Sequence, residues 1–252
     1  MNRSNFSFLS VSLLILTFLL HDCGTVSSEE KKITVQNTKP ANDKNVLVER
    51  QGAGKETIKV VIPDSPSVDS CGCPPEGNAK LEHVRELNKF KNRAFFPDSS
   101  DFNFSITLSK LLQPGEDTKR WSNNQAARIK GYVWDVKPGG METVNCKAKD
   151  KIMRDTHIEL VLNPMKTDKK DIMVVEITPR IRHLMRERGE DWSTSAIRSR
   201  FLGRWVVVEG WMMLDVEHTA QAENTNPGRP RNWRGTAWEL HPITTIKETT
   251  RY

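Results

Sequence analysis

The chain is predicted to be mainly β: a five-stranded barrel with a helical connection between its third and fourth strands and a short helix ahead of the barrel. Two features of its 252 residues predict this class. From residue 126 onward, five segments alternate apolar and polar residues with the period of two that strands require, and turn residues separate them. Between the third and fourth segments the period changes to that of helices.

The first three strands are expected at residues 128–137, 156–162 and 172–178. Each ends at a chain breaker, and these breakers are Pro138-Gly139-Gly140, Asn163-Pro164 and Pro179. Helices are then expected at 181–189 and 193–202, with Ser193 as the cap of the second.

The fourth strand is expected at 204–215 and the fifth at 234–247. Gly210 interrupts the fourth strand near its middle, which is typical of a bulge or a sharp bend at a barrel corner. In the fifth strand Trp238 and Leu240 alternate with Glu239 and His241. One side of this strand is therefore apolar, and the opposite side carries a carboxylate and an imidazole.

The N-terminal residues 1–28 are predicted to be an export signal. Arg3 supplies a basic end, Phe8–Leu20 an apolar run, and Val26-Ser27-Ser28 a small-residue cleavage site. Cys23 leaves a lipoprotein interpretation open, with membrane attachment through a lipid, although His21 and Asp22 stand where lipoprotein signals usually have small residues. Either way we expect an exported, periplasmic or extracellular protein.

Residues 29–77 are predicted to be a disordered tether, and residues 78–125 a helical lead-in that packs on the barrel domain at 126–252. The hydrophobic content of 37% is low for a compact globule, which fits an unpacked segment. In the lead-in, helical spacing predicts a helix from Ala79 to about Asn92, capped by Asn78. The mature chain would keep Cys71, Cys73 and Cys146, and either of the first two can be the partner of Cys146.

Three strands, a helical connection and two more strands resemble the OB-fold, a small five-stranded barrel. The run from Val174–Arg180 to Trp238–Pro242 also resembles uncharacterised exported bacterial proteins, which implies no activity. OB-folds bind ligands on the face of strands two and three, beside the loop joining strands one and two and the loop joining strands four and five. Here those loops are residues 137–155 and 216–233, the two longest irregular stretches of the barrel.

Strand alternation places polar side chains of strands two, three and five on one outer side of the barrel. The set comprises His157, Glu159, Glu176, Arg180, Glu239 and His241, and the loop after strand four adds Asp215, Glu217 and His218. Imidazole and carboxylate suit zinc, manganese or iron, so His157, Glu159, His218 and His241 are candidate ligands of a divalent metal such as Zn²⁺. The competing interpretation is an ordinary solvated polar face.

Three functional hypotheses follow from the sequence. The first is an exported module that binds an unknown extracytoplasmic ligand through Glu176, Arg180, Trp233, Arg234 and Glu239. The second is a metal-dependent hydrolase on the same face, with Glu176 or Glu217 as base. The third is nucleic-acid binding, for which the formal charge of +6 and aromatic residues such as Trp233 beside Arg231 and Arg234 are the arguments. No motif in the sequence identifies a reaction.

Overall fold

The computed structural model describes residues 46–51, 57–62, 72–165 and 168–251. Two strands, β1 (Val46–Gln51) and β2 (Thr57–Ile62), pair antiparallel in a two-stranded sheet. Helices α1 (Glu82–Lys91) and α2 (Leu108–Leu111) follow. The predicted signal, Cys23, Cys71 and most of the predicted tether lie outside the described residues.

The barrel consists of β3 (Ala126–Pro138), β4 (Thr156–Val161), β5 (Met173–Ile177), β6 (Trp205–Leu214) and β7 (Trp238–Glu248). The helices α3 (Pro179–Glu187) and α4 (Thr194–Phe201) connect β5 to β6. The strands close in the order β3-β4-β5-β7-β6, and all neighbours are antiparallel except β5 and β7. The predicted OB-like barrel is therefore confirmed.

The barrel interior is filled by the apolar residues of the alternating strands, as the sequence predicts. Trp238 and Leu240 of β7 lie in this core, and the other strands contribute Ile129, Val133, Ile158, Leu160, Val175, Ile177, Val206 and Val208. The lead-in adds Ile106, Leu108 and Leu111 to the same core. Because the apolar side of each strand faces the barrel interior, the polar sides of β4, β5 and β7 must face outward.

Two local expectations are wrong. Strict alternation along the predicted strand 128–137 puts Val136 on the side opposite to Val133, but Val136 belongs to the core, because a register shift between Val133 and Asp135 inserts a residue and reverses the alternation at the end of β3. Helix α1 begins at Glu82 and has no side-chain cap, whereas Asn78 donates its backbone N–H to Thr143 instead. The cap expected at the second connecting helix is confirmed, since the Ser193 hydroxyl accepts from Ala196 N–H at 3.2 Å.

A disulfide joins Cys73 to Cys146, with the two Cα atoms 5.8 Å apart. It fixes the loop between β3 and β4 to the segment ahead of α1. Asn92 of the lead-in donates to Val144 O at 3.1 Å, which strengthens the same connection. Cys146 is thus a structural cysteine and not a nucleophile. Among the described residues, no helix has both the length and the apolar character that crossing a bilayer requires.

The predicted bend at Gly210 is confirmed, because the β6–β7 register shifts on both sides of this residue. A Cβ atom at this position would lie 2.5 Å from Pro242 O and 2.6 Å from Ile243 Cα, both backbone atoms that cannot easily move.

We therefore expect Gly210→Ala to lower the free energy of unfolding by roughly 1–3 kcal/mol through overpacking. Urea denaturation measures this change. Gly140→Ala is the matched control, since its added Cβ meets only Glu142 side-chain atoms at 4.0 Å, and its effect should stay within about 0.5 kcal/mol. Equal effects of the two substitutions would contradict the crowding at Gly210.

Candidate functional site

The polar sides of β4, β5 and β7 meet on the outside of the barrel. His157 on β4 lies directly opposite Glu176 on β5, and the parallel pairing of Val175 with Leu240 brings Glu239 and His241 next to Glu176. The strand order thus assembles the residues that alternation assigned to one side. His157 and His241 contact the same carboxylate, Glu176, and lie on the same side of the barrel.

This polar surface is buried, contrary to the expectation of a solvated face. Glu176 is 5% exposed, Glu239 is 2% exposed and His241 is fully buried. Helix α1 and the two long loops cover it: Lys91 reaches in from α1, Glu142 from the first loop and Trp233 from the second. A buried charge is tolerated only where it is paired or hydrogen-bonded, so the partners of each group decide what the cluster can do.

Hydrogen bonds orient the two histidines. Glu176 Oε1 accepts from His157 Nδ1 at 2.9 Å, and Glu176 Oε2 lies 3.4 Å from His241 Nδ1. Glu239 Oε2 accepts from His241 Nδ1 at 3.1 Å, and its other oxygen accepts from Arg234 Nη1 at 2.7 Å. Arg234 and Glu239 therefore fix the orientation of the His241 ring. The Nε2 atom of His241 points away from these partners.

Asp155, the residue just before β4, completes a compact triad with Glu176 and His241. One potential ligand atom of each lies within 4.8 Å of the other two, and all three residues are buried. His241 Nε2 is 3.7 Å from Asp155 Oδ2. Within the described part of the chain, His241 Nε2 and Asp155 Oδ1 have no hydrogen-bond partner. The triad thus contains two buried polar atoms with unused bonding capacity, one on His241 and one on Asp155.

The charges in the cluster depend on burial and on the neighbouring groups. Burial raises the pKa of Asp155 to about 7, since the nearby His241 only partly offsets the loss of solvent. Burial disfavours the charged form of His157 too, but the carboxylates of Glu159 and Glu176 outweigh it and raise the pKa of this imidazole to about 9. For His241, Glu176 and Glu239 likewise outweigh burial and raise the pKa.

A second set of charges lies beside the triad. Lys91 Nζ is 2.9 Å from Glu142 Oε2 and 3.3 Å from Asp215 Oδ2, and Asp215 accepts from His218 Nδ1 at 2.8 Å. The Trp233 ring lies near two imidazoles, with centroids 5.7 Å from His157 and 6.3 Å from His218. His218 thus contacts Asp215 rather than a member of the triad, although it lies in the same region.

Three other predicted residues lie outside the triad, namely Glu159, Arg180 and Glu217. Glu159 lies beside His157 and forms an ion pair with Lys137 at the edge of the cluster. Arg180 is not on the polar side of a strand but in the first turn of α3, where it donates to Cys73 O at 2.5 Å. Glu217 is exposed and lies 3.8 Å from His83, away from the triad.

The aromatic and arginine residues proposed for nucleic acid are also placed differently from expectation. Arg234 is buried in its ion pair with Glu239 and is not available for a phosphate. Trp233 is half-buried, and Arg234 lies over its ring at 5.3 Å. Arg231 alone of the three is exposed. This loop therefore does not present an open stacking surface.

Sequence reasoning missed Asp155 and Lys91. The predicted loop at 137–155 includes Asp155, yet Asp155, His157 and Glu159 alternate, and a strand that begins one residue earlier has all three on one side. No local sequence pattern marks Lys91 as a site residue, because its contact with Asp215 joins residues 124 positions apart.

Neither a comparison with protein-family models nor a comparison with curated proteins finds a match for this chain. The class that fold and site define is a closed OB-like barrel with a buried histidine–carboxylate cluster on its outer side.

Proposed function

We propose that this protein is a binding module whose ligand is a divalent transition-metal ion, held by Asp155, Glu176 and His241. The observation that carries the proposal is the convergence of three buried ligand atoms within 4.8 Å. With metal–ligand bonds of about 2.0–2.2 Å, atoms bound to one ion lie roughly 3–4 Å apart. The widest separation would therefore need to close by roughly 1–2 Å at most.

The surroundings of the triad support a metal ligand set. Histidines that bind metals usually donate their other ring N–H to a carboxylate, and His241 does so to Glu239. Glu176 is oriented in the same way by His157. One imidazole and two carboxylates suit zinc, manganese or iron better than calcium, which prefers six to eight oxygen ligands.

The purified chain is expected to bind one Zn²⁺ or Mn²⁺ ion, measured by calorimetric titration after chelation and dialysis. Asp155→Asn should weaken binding by roughly a hundredfold or more, since loss of a supporting residue alone typically costs 10–100-fold. His183→Gln is the control, because His183 lies on α3 and pairs with Glu187, outside the cluster.

His218→Gln distinguishes the triad from the ligand set expected from sequence, which includes His218. The triad predicts affinity within about twofold of the wild type, because His218 bonds Asp215 and is not one of the three residues whose ligand atoms converge. A chain that binds no metal, or one in which Asp155→Asn binds as tightly as the wild type, would show that the cluster is only a structural ion network.

A metal-dependent hydrolase is the second candidate. Catalytic zinc sites typically have three protein ligands, with water or substrate in the remaining position. The burial of the triad favours the binding module, because all three ligand residues are buried and a hydrolase must admit its substrate to the metal. A chain without metal affinity would exclude the hydrolase as well.

We also propose that the protein acts outside the cytoplasm, attached to the membrane if Cys23 carries a lipid. The apolar run Phe8–Leu20 supports export. The Cys73–Cys146 disulfide supports it too, since disulfides persist mainly in oxidising compartments.

A further inference from the structure

A different part of the outer surface, on β3 and β6, combines exposed aromatic rings with positive charge. Alternation turns Arg128, Lys130, Tyr132 and Trp134 of β3 outward, because Ile129 and Val133 lie in the core. The pairing of β3 with β6 and of β6 with β7 continues this surface. We call it the basic aromatic face, and it comprises Phe102, Phe104, Arg128, Lys130, Tyr132, Trp134, Trp205, Val207, Glu209, Lys247 and Arg251.

Large apolar side chains are exposed at both ends of this face. Phe104 is 63% exposed and Trp134 is 44% exposed. Phe104 stacks on Phe102, with ring centroids 5.7 Å apart, at the Arg128 end of β3. The seven residues from Arg128 to Trp134 span roughly 20 Å at the rise of a strand. Tyr132 and Trp205 lie between these two ends and are partly exposed, and an exposed patch with several aromatic side chains typically marks an interaction site.

The charge of the face is positive. Arg128, Lys130, Lys247 and Arg251 are its cations, and Glu209 is its carboxylate, so four positive charges stand against one negative charge. Lys130 and Lys247 both lie opposite Val207, on either side of it, which places them two strand spacings apart at roughly 10 Å. Charge complementarity therefore indicates an anionic partner.

The orientation of the rings distinguishes between anionic partners. Single-stranded nucleic acid needs open ring faces on which bases stack. Here Arg128 lies over Phe102 and Phe104 at 5.9 and 5.7 Å, Arg251 lies over Trp205 at 5.9 Å, and Tyr132 meets Trp205 edge to face. These ring faces are partly covered. Aromatic side chains at a bilayer interface do not need an uncovered ring face. They need an apolar ring that can enter the headgroup layer while one edge stays in contact with water.

We propose that the basic aromatic face docks on the surface of an anionic lipid bilayer, with Phe104 and Trp134 entering the headgroup layer and Lys130 and Lys247 contacting lipid phosphates. The inference is independent of the metal proposal, since it uses none of the residues of the triad.

Sedimentation with phosphatidylcholine vesicles, with and without phosphatidylglycerol, tests the proposal on the full chain. The wild type should bind more tightly to the vesicles that contain phosphatidylglycerol. The double variant Lys130→Gln/Lys247→Gln should lose roughly thirtyfold of its affinity for them, as expected for two lysines near an anionic surface. Binding through the apolar run Phe8–Leu20 is common to all variants and both vesicle types, so the ratio between vesicle types isolates the face.

The matched control is Lys149→Gln/Lys151→Gln, which removes two exposed lysines from the loop between β3 and β4. Phe104→Ser/Trp134→Ser tests the apolar contribution and should weaken binding by roughly tenfold. Equal binding of the wild type to both vesicle types, or equal losses in the two lysine variants, would overturn the proposal. So would a single-stranded oligothymidylate that displaces the chain from vesicles, because the face would then bind nucleic acid.

Discussion

Replacing both Cys73 and Cys146 by serine should lower the free energy of unfolding by roughly 4 kcal/mol. The disulfide closes a loop of 73 residues, and the loss of chain entropy in the unfolded state on closing a loop of that length is worth about this amount. For a described region of this size, the change corresponds to a fall in melting temperature of roughly 10 °C. Urea denaturation and thermal unfolding under oxidising conditions measure it.

Two comparisons isolate the disulfide from the loss of the cysteine side chains. A reducing agent should destabilise the wild type by a similar amount and leave the double serine variant unchanged. Cys71→Ser should have no comparable effect, since Cys73 is the partner of Cys146. A double serine variant within about 1 kcal/mol of the wild type would mean that Asn88 and Asn92, which bond Thr143 and Val144, hold this loop on their own.

The barrel was predictable because its signals are local. A strand shows its two sides in its own sequence, so Trp238 and Leu240 could be assigned to the core and Glu239 and His241 to the opposite side without any neighbour. The strand order then followed from the resemblance to the OB-fold, and with it the proximity of His157, Glu176 and His241. The bulge that turns Val136 inward left no such pattern, because a single inserted residue is not visible in the alternation.

The burial of the site was not predictable, because it depends on contacts between distant parts of the chain. Polar residues on one side of a strand normally face water, and that rule predicted a solvated surface. Here α1 and the two long loops exclude the water, and the charged groups are tolerated because nearly all of them have partners of opposite charge. The same nonlocal cover brings Lys91 to Asp215.

Lys91 connects helix α1 to the cluster through two ion pairs. It is 3% exposed, and its ammonium group lies between Glu142 and Asp215. Burial opposes the charged form, but the two carboxylates outweigh it and hold the pKa of Lys91 well above its usual value. Burial also favours the neutral form of Asp215, yet Lys91 and His218 hold the pKa of this carboxyl well below its usual value. Each group thus keeps its partner charged.

Lys91→Met is expected to lower the free energy of unfolding at neutral pH by about 3–5 kcal/mol, the usual cost of removing one partner of a buried ion pair. The substitution keeps an unbranched side chain of similar length, so most of the loss comes from leaving Asp215 and Glu142 without their cation. Urea denaturation at neutral pH measures the change. Lys89→Met is the control on the same helix: Lys89 is partly exposed and its ion pair, within the described part of the chain, is with Glu86, so its loss should cost less than about 1 kcal/mol.

The pH dependence of this difference tests its electrostatic origin. A carboxyl whose pKa is lowered by folding contributes stability above its unfolded pKa of about 3.9, and that contribution is lost as the pH falls toward the folded pKa. Asp215 in the wild type is such a group. The wild type should therefore lose more stability than Lys91→Met between neutral pH and about pH 3, and the two unfolding curves should converge.

The double variant Lys91→Met/Asp215→Asn separates charge from packing. Removing both charges leaves no unpaired ion at Asp215, so the double variant should be more stable than Lys91→Met alone, even though each substitution removes a contact. His218 loses its carboxylate partner in this variant, so recovery should be partial. If the loss of stability in the double variant, relative to the wild type, equals the sum of the losses in the two single variants, Lys91 and Asp215 act independently. The ion pair then does not hold α1 against the barrel.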